Sequence, residues 1–578
     1  MSASPACSFS HLVARGQRAA LVVLLSTTAW LPASAQDVQR VTVASESVVT
    51  RQGALLGERT GPDGSINAFK GIPYALPPVG ERRWRAPEPP ASWQGERLAT
   101  DFGPDCMQQT YPQGSFFYRP ARLSSEDCLY LNVWAPEPVQ ELVQTPAQTF
   151  GEDPAQEEPV QAFGQEPAQE LRPVMVWLHG GALTRGSGAI SSYDGTNLAS
   201  KGVVLVTVNY RLGVFGYLAH PELVAESPEY SGGHYSAGNY GILDQIAALR
   251  WVQENIAAFG GDPNNVTIFG ESAGAWSVHF LTASPLANGL FHKAIAQSGA
   301  RMDMRVELDR HSSAGQSATA AGVQLADQLG VDGLAGLRAL PAHVLLEGAA
   351  SNSFRSDGIV DGWVIPEQPY KMFAEGRQNR VPVLVGFNSD EGTTLGAADA
   401  LPGNAAAYES QVRSVYGDFA DMMLEVYPSD DIRASSLASF RDIRFGWHMV
   451  TWANMTRYVD QPAYLYYFTH RPPGPRAQEL GAYHAAEIPY VFNNLHTLRN
   501  SPAPSDAALA EAMSDYWVSF ARDGVPSAAG QPAWQPYTNA ERHYLLFGSR
   551  VSAEKDLLSD HWPVIDRVMD RRRVSAED

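Results

Sequence analysis

Ser272 stands in the pentapeptide Gly270-Glu271-Ser272-Ala273-Gly274, a G-x-S-x-G pattern that holds a serine hydroxyl outward at a tight turn. The flanking glycines are needed because side chains there would collide with the neighbouring strand or helix. A serine is a weak nucleophile without a base, a carboxylate to orient that base, and donors for the developing oxyanion. The sequence offers all three. His179-Gly180-Gly181-Ala182 is a loop of small residues whose backbone N–H groups are free to point into a pocket. With the N–H of Ala273, those of Gly181 and Ala182 form a three-donor oxyanion hole. Asp390 and Glu391 are adjacent carboxylates after an apolar run, and residue chemistry alone does not choose between them. His484 supplies an imidazole in Gly481-Ala482-Tyr483-His484-Ala485-Ala486-Glu487. Together these types point to acyl transfer through a covalent serine intermediate.

Chemistry at these points requires elements that hold them. Val266 to Phe269 reads as a short buried strand before the elbow, and the pattern turns helical from Ala273. The helix would set its positive end under the serine, where negative charge develops. Val174 to Leu178 is a second apolar strand, running into the His179 loop, and Val381 to Gly386 a third, running into the carboxylates. The order Ser272, acid, His484 is the chain order of an α/β-hydrolase. Strands and amphipathic helices alternate from Val174 to Phe547 without a linker, which predicts one α/β domain over 36–564. Its centre would be a mostly parallel sheet with helices on both faces. Asp303 to Leu345 and Tyr408 to His448 would wall the site.

Over about Val41 to Phe547 the chain resembles the type-B carboxylesterases, the family that includes the cholinesterases. The resemblance rests on Phe69-Lys70-Gly71-Ile72-Pro73-Tyr74-Ala75, Arg83-Trp84-Arg85-Ala86-Pro87 and Ser125-Glu126-Asp127-Cys128-Leu129-Tyr130-Leu131-Asn132. It continues through Val208-Asn209-Tyr210-Arg211, Gly238-Asn239-Tyr240-Gly241, Phe259-Gly260-Gly261-Asp262-Pro263 and Gln297-Ser298-Gly299. It implies Ser272 as nucleophile, Glu391 rather than Asp390 as acid, His484 as base, and Gly181, Ala182 and Ala273 as oxyanion donors. It also implies that Ser298 hydrogen-bonds within the triad, that Glu271 lies on the active-site wall, and that Arg83 and Glu126 form a structural salt bridge. The chain departs from the cholinesterases between Cys106 and Cys128, where Tyr111, Phe116, Phe117 and Tyr118 occur but no tryptophan. A choline site lacks its best cation–π residue there. The third residue of the oxyanion loop is Ala182 where the family has glycine. The implied activity is ester hydrolysis without a cofactor or metal. Two alternatives share the site, a lipase or a dedicated polyester or toxin-ester hydrolase. A third is a binding protein of the same fold.

The termini and charge set the context. Arg15 and Arg18 precede the apolar run Ala19 to Leu25, and Ala33-Ser34-Ala35 offers a small-residue cleavage site before Gln36, so 1–35 reads as a secretory signal. The export it implies is to the periplasm or the exterior. No later stretch has the ~18 apolar residues of a membrane span. Cys7 leaves with the signal, and Cys106 and Cys128 remain as a pair expected to form one disulfide in an oxidising compartment. The 578-residue chain carries a formal charge of −20, which argues against nucleic acid or an anionic membrane as a partner and favours solubility, while the resemblance implies a small-molecule ester as substrate. Monomer and dimer both stay open. Carboxylates concentrate in an insertion over 136–170, rich in Pro, Gln, Ala and Glu, that is expected to be disordered. A charged tail is expected over 565–578.

Overall fold

The strand Arg172–Leu178 shows how the sheet is built. Val174, Val176 and Leu178 join one buried apolar cluster while Met175 and Trp177 join another. A strand covered on both faces in this way must be apolar throughout, which this one is. In the computed structural model of the chain, residues 46–137, 170–304, 306–311 and 315–577 are described, with side chains to 573. The expected signal peptide lies outside them, as does the acidic insertion apart from its ends. The described residues form one compact unit.

Eleven strands make the main sheet. They are β1 (Glu58–Thr60), β2 (Ile66–Pro73), β3 (Tyr130–Pro136), β4 (Arg172–Leu178), β5 (Val204–Val208), β6 (Gly261–Glu271), β7 (Lys293–Gln297), β8 (Val383–Asn388), β9 (Ala463–Phe468), β10 (His543–Phe547) and β11 (Val551–Lys555). Their spatial order is β11-β10-β9-β8-β7-β6-β4-β5-β3-β2-β1. Strands β5, β4, β6, β7, β8, β9 and β10 run parallel, while β1 to β3 and β11 pair antiparallel at the two edges. The chain leaves β4 for β5 on one side and returns to β6 on the other. The order therefore reverses at β4, and a crevice opens at the C-terminal ends of β4 and β6. The His179 loop follows β4 and Ser272 follows β6.

Helices cover both faces. α1 (Tyr240–Asn255) and α2 (Ala273–Ala283) pack into the first cluster through Ile242, Leu249, Val278 and Phe280. Further along, α3 (Ile432–Arg441) and α4 (Trp447–Met455) are joined by one π-helical turn, Asp442–Gly446. α5 (Pro504–Asp523) covers the second cluster through Met513, Tyr516, Trp517 and Phe520. The last helix, α6 (Trp562–Glu577), replaces the tail expected over 565–578. Its Ile565, Val568 and Met569 are buried at 0, 4 and 1 % exposure, an apolar stripe that the surrounding Arg and Asp residues obscure in the sequence. The expected disulfide is present between Cys106 and Cys128. Among the described residues no helix is long and apolar enough to cross a membrane.

Candidate active site

At the end of β6 the backbone turns sharply. Ser272 has φ 57° and ψ −120°, a conformation non-glycine residues rarely take, and its N–H donates to Gln297 O at 2.8 Å. α2 starts at once, with Trp276 N–H on Ser272 O at 2.9 Å. A Cβ on Gly274 would fall 1.9 Å from Leu178 O, and one on Gly270 2.6 Å from the Gly274 carbonyl carbon. Both glycines are thus required by close approach of β4, the elbow and α2, as the pentapeptide predicts.

The loop after β4 wraps the elbow. His179 stacks on Tyr210 with centroids 4.5 Å apart, and Tyr210 Oη donates to His179 O at 2.6 Å. Tyr210 is fixed in turn by the next residue, Arg211, which grips buried Asp244 through Nε and Nη2 at 2.8 and 2.7 Å. Gly181 has φ 116°, and both Ala182 (φ 56°) and Leu183 (φ 57°) are left-handed without being glycine. Arg185 N–H donates back to Gly181 O at 3.0 Å, closing the turn. Among the described residues the N–H groups of Gly181, Ala182 and Ala273 donate to no backbone acceptor in this turn. Ala182 costs the loop strain that glycine would avoid, but leaves the N–H in place.

Glu391 and His484 meet across the sheet ends. Glu391, fully buried in the turn after β8, accepts from Asn388 N–H at 2.8 Å through Oε1 and lies 2.5 Å from His484 Nδ1 through Oε2. Asp390 is directed elsewhere: its Oδ2 accepts from Ala482 N–H at 2.9 Å and from Ser389 Oγ at 2.5 Å. The structure thus selects Glu391 over Asp390 as the partner of His484. Phe445, in the π-helical turn, lies with its ring 4.9 Å from the imidazole.

His484 Nε2 meets a second carboxylate, Glu271 Oε1, at 3.1 Å. Burial pushes the Glu271 carboxyl up to about 8, against the pull of His484. Burial acts to lower His484, yet the charges of Glu271 and Glu391 outweigh it and hold the imidazole at about 9. Across the Nε2–Oε1 contact the two groups are coupled by charge, each favouring the charged form of the other.

Behind this pair lies a buried network that the sequence reading missed. Glu487 accepts from Asn388 Nδ2 at 2.6 Å and Gln297 Nε2 at 3.0 Å, and Trp517 Nε1 of α5 donates to Gln297 Oε1 at 3.1 Å. Asn388 Nδ2 also donates to Tyr483 O at 2.9 Å, so the network holds the backbone beside His484. The only sequence signal was a glutamate three residues after the histidine. Ser298 is brought close but does not bond within the group: its Oγ is buried without a hydrogen-bond partner. Arg83 and Glu126 do pair, at 2.6 Å, away from Ser272. Met302 and Met304, at 1 % exposure each, lie in the first buried apolar cluster.

Residues 44–562 match the model of the Carboxylesterase family. The chain belongs to the carboxylesterase family. It is 36 % identical to a fumonisin B1 esterase of Sphingopyxis macrogoltabida, over 96 % of each chain. To a para-nitrobenzyl esterase of Bacillus subtilis it is 35 % identical, over 88 % of this chain and 96 % of the other. Among solved structures, a carboxylesterase of Geobacillus stearothermophilus superposes with a TM-score of 0.72 at 34 % identity, covering 92 % of this chain and 99 % of that one. The fold is the α/β-hydrolase fold, and this carboxylesterase is a serine hydrolase of carboxylic esters.

Proposed function

We propose that the enzyme cleaves esters through an acyl-Ser272 intermediate with a Ser272–His484–Glu391 triad. His484 takes the Ser272 proton as Oγ attacks the ester carbonyl, and Glu391 fixes the imidazole through Nδ1 and stabilises the imidazolium. The N–H groups of Gly181, Ala182 and Ala273 receive the oxyanion. His484 then hands its proton to the leaving alcohol, and water attacks the acyl-enzyme with His484 again as base. The observation that carries this reading is His484 Nδ1 on buried Glu391 at 2.5 Å, in the crevice that also holds the strained Ser272 elbow.

Charge balance in the cycle supports a part for Glu271. It stands at Nε2, on the side where the imidazolium forms, and a carboxylate there offsets the new positive charge. The disulfide at Cys106–Cys128 fits work in an oxidising compartment.

Ser272→Ala tests the proposal. It should lower kcat on p-nitrophenyl acetate by about 10⁴- to 10⁶-fold while the protein keeps its thermal transition. Full activity in this variant would overturn the assignment.

A further inference from the structure

Glu391 and His484 are 93 positions apart and meet beyond the end of the sheet. Inside the sheet their two strands are aligned by the ladder, since β8 and β9 pair residue by residue up to Asn388 and Phe468. Past those residues the ladder stops, and the placement of one loop against the other rests on individual contacts. A triad tolerates little slack: a misplacement of about 1 Å can cost on the order of a hundredfold in rate.

Asp390 supplies those contacts. Its backbone N–H donates to Ala482 O at 3.0 Å, and its Oδ2 accepts from Ala482 N–H at 2.9 Å. Main chain and side chain of one residue thus grip both polar groups of another. The grip extends the parallel pairing by one further bridge, Asp390 with Tyr483. Ser389 Oγ donates to the same Oδ2 at 2.5 Å, and Ser389 N–H is itself fixed to Phe468 O at 2.9 Å. Thr393 Oγ1 lies 2.8 Å from both Asp390 O and Leu480 O, a second tie between the loops. The fit leaves no spare room. Gly481 has φ 61°, and a Cβ there would fall 2.4 Å from Asp390 Cγ and Oδ2. Ala482 is fully buried, so its N–H has no bulk water to turn to if the carboxylate is removed. A buried donor left without an acceptor pushes the chain to rearrange. Any such rearrangement reaches the triad at once, because Glu391 directly follows Asp390 and His484 lies two residues after Ala482.

We propose that Asp390 is a positioning residue of the esterase: its carboxylate clamps the Ala482 backbone and so sets the distance and direction at which Glu391 meets His484. The carboxylate that does not face the histidine thus serves the reaction without touching substrate. This inference rests on the reading of Glu391 and His484 as triad partners.

Asp390→Ala removes the acceptor, whereas Asp390→Asn keeps an oxygen in its place. On p-nitrophenyl acetate, well below the thermal transition of each variant, Asp390→Ala should lower kcat about 10- to 100-fold with KM within about threefold of wild type. Asp390→Asn should recover most of that loss. A double-mutant cycle with Glu391→Ala separates positioning from general support of the fold. Where Glu391 is gone there is no contact left to set, so adding Asp390→Ala should cost less than about threefold. Low-field proton NMR gives a second readout: the resonance of the His484 Nδ1 proton bonded to Glu391 should shift or broaden in Asp390→Ala and return in Asp390→Asn. Ser389→Ala, which removes only the hydroxyl brace, should show a smaller loss with the same non-additivity, and takes the place of Asp390→Ala in the cycle if that variant does not fold. Losses that multiply fully in the cycle, a loss confined to KM, or a lowered Tm with wild-type kcat would each overturn the proposal while leaving the triad intact. If Glu391→Ala itself keeps wild-type kcat, the triad reading falls, and this inference with it.

Discussion

Glu271 is the side chain whose position most changes the chemistry expected of the triad. The G-x-S-x-G pattern requires nothing at its second position, and the sequence placed Glu271 only on the wall. In the structure its Oε1 stands 3.1 Å from His484 Nε2, the nitrogen that must accept the Ser272 proton. A negative charge there favours the imidazolium, and His484 is held at about 9 against the lowering effect of burial. In Glu271→Gln that attraction disappears, so His484 should lose its proton more readily and its pKa should fall. Since activity requires neutral His484, the acid limb of the kcat/KM–pH profile should move to lower pH, by about one unit. The maximal kcat should drop as well, because the transition-state imidazolium loses a stabilising charge. A profile with its acid limb unmoved would rule out this coupling. The choice of Glu391 over Asp390 shows the same limit of sequence at this scale. The carboxylates are adjacent and alike in chemistry, and what separates them is direction: one turns into the crevice and the other caps the Ala482 backbone.

At the scale of elements, strands and elbow were legible because their signals are local. An apolar run before a glycine marks β4, β6 and β8, and the close approaches at Gly270 and Gly274 leave no other residue possible. What was not legible is the support supplied by distant elements, since a network such as Glu487–Gln297–Trp517 joins residues hundreds of positions apart. The π-helical turn between α3 and α4 is a second case. π-Helical turns are frequent at functional sites, and this one carries Phe445, whose ring lies 4.9 Å from that of His484. It is fastened by Asp442, which is fully buried and accepts from Arg441 Nε at 2.6 Å and Tyr427 Oη at 2.9 Å, with His561 Nδ1 at 2.6 Å. Burial opposes the Asp442 charge, but Arg441 and His561 outweigh it and hold the carboxyl below its ordinary value. Asp442→Asn leaves Arg441 buried without its counter-charge, and should cost about 3–5 kcal/mol. Thermal unfolding should show a lowered Tm. A group with a depressed folded-state pKa stabilises above its unfolded value and loses that contribution as pH falls. The gap between wild type and variant should therefore close toward acid pH. A constant gap would mean that packing, not charge, anchors the turn.

The molecule is organised on its eleven-stranded sheet, with the candidate site at the point where strand order reverses, and in sequence a long acidic segment falls between two of its strands. The described chain stops at Glu137 after β3 and resumes at Glu170 before β4. These strands are separated in the sheet only by β5, a gap of about 10 Å at ordinary strand spacing. The two ends are held together independently of what lies between them. Arg172 Nη2 donates to Glu137 O at 2.9 Å, Glu137 N–H donates to Ser65 O at 2.9 Å, and Glu137 pairs with Arg59. A flexible linker of about six Gly and Ser residues has a mean span of roughly 13 Å, enough to bridge the gap. Replacing residues 138–169 with such a linker should leave Tm within about 2 °C and kcat/KM on p-nitrophenyl acetate within about twofold. It removes carboxylates at 141, 152, 153, 157, 158 and 166, so the isoelectric point should rise measurably.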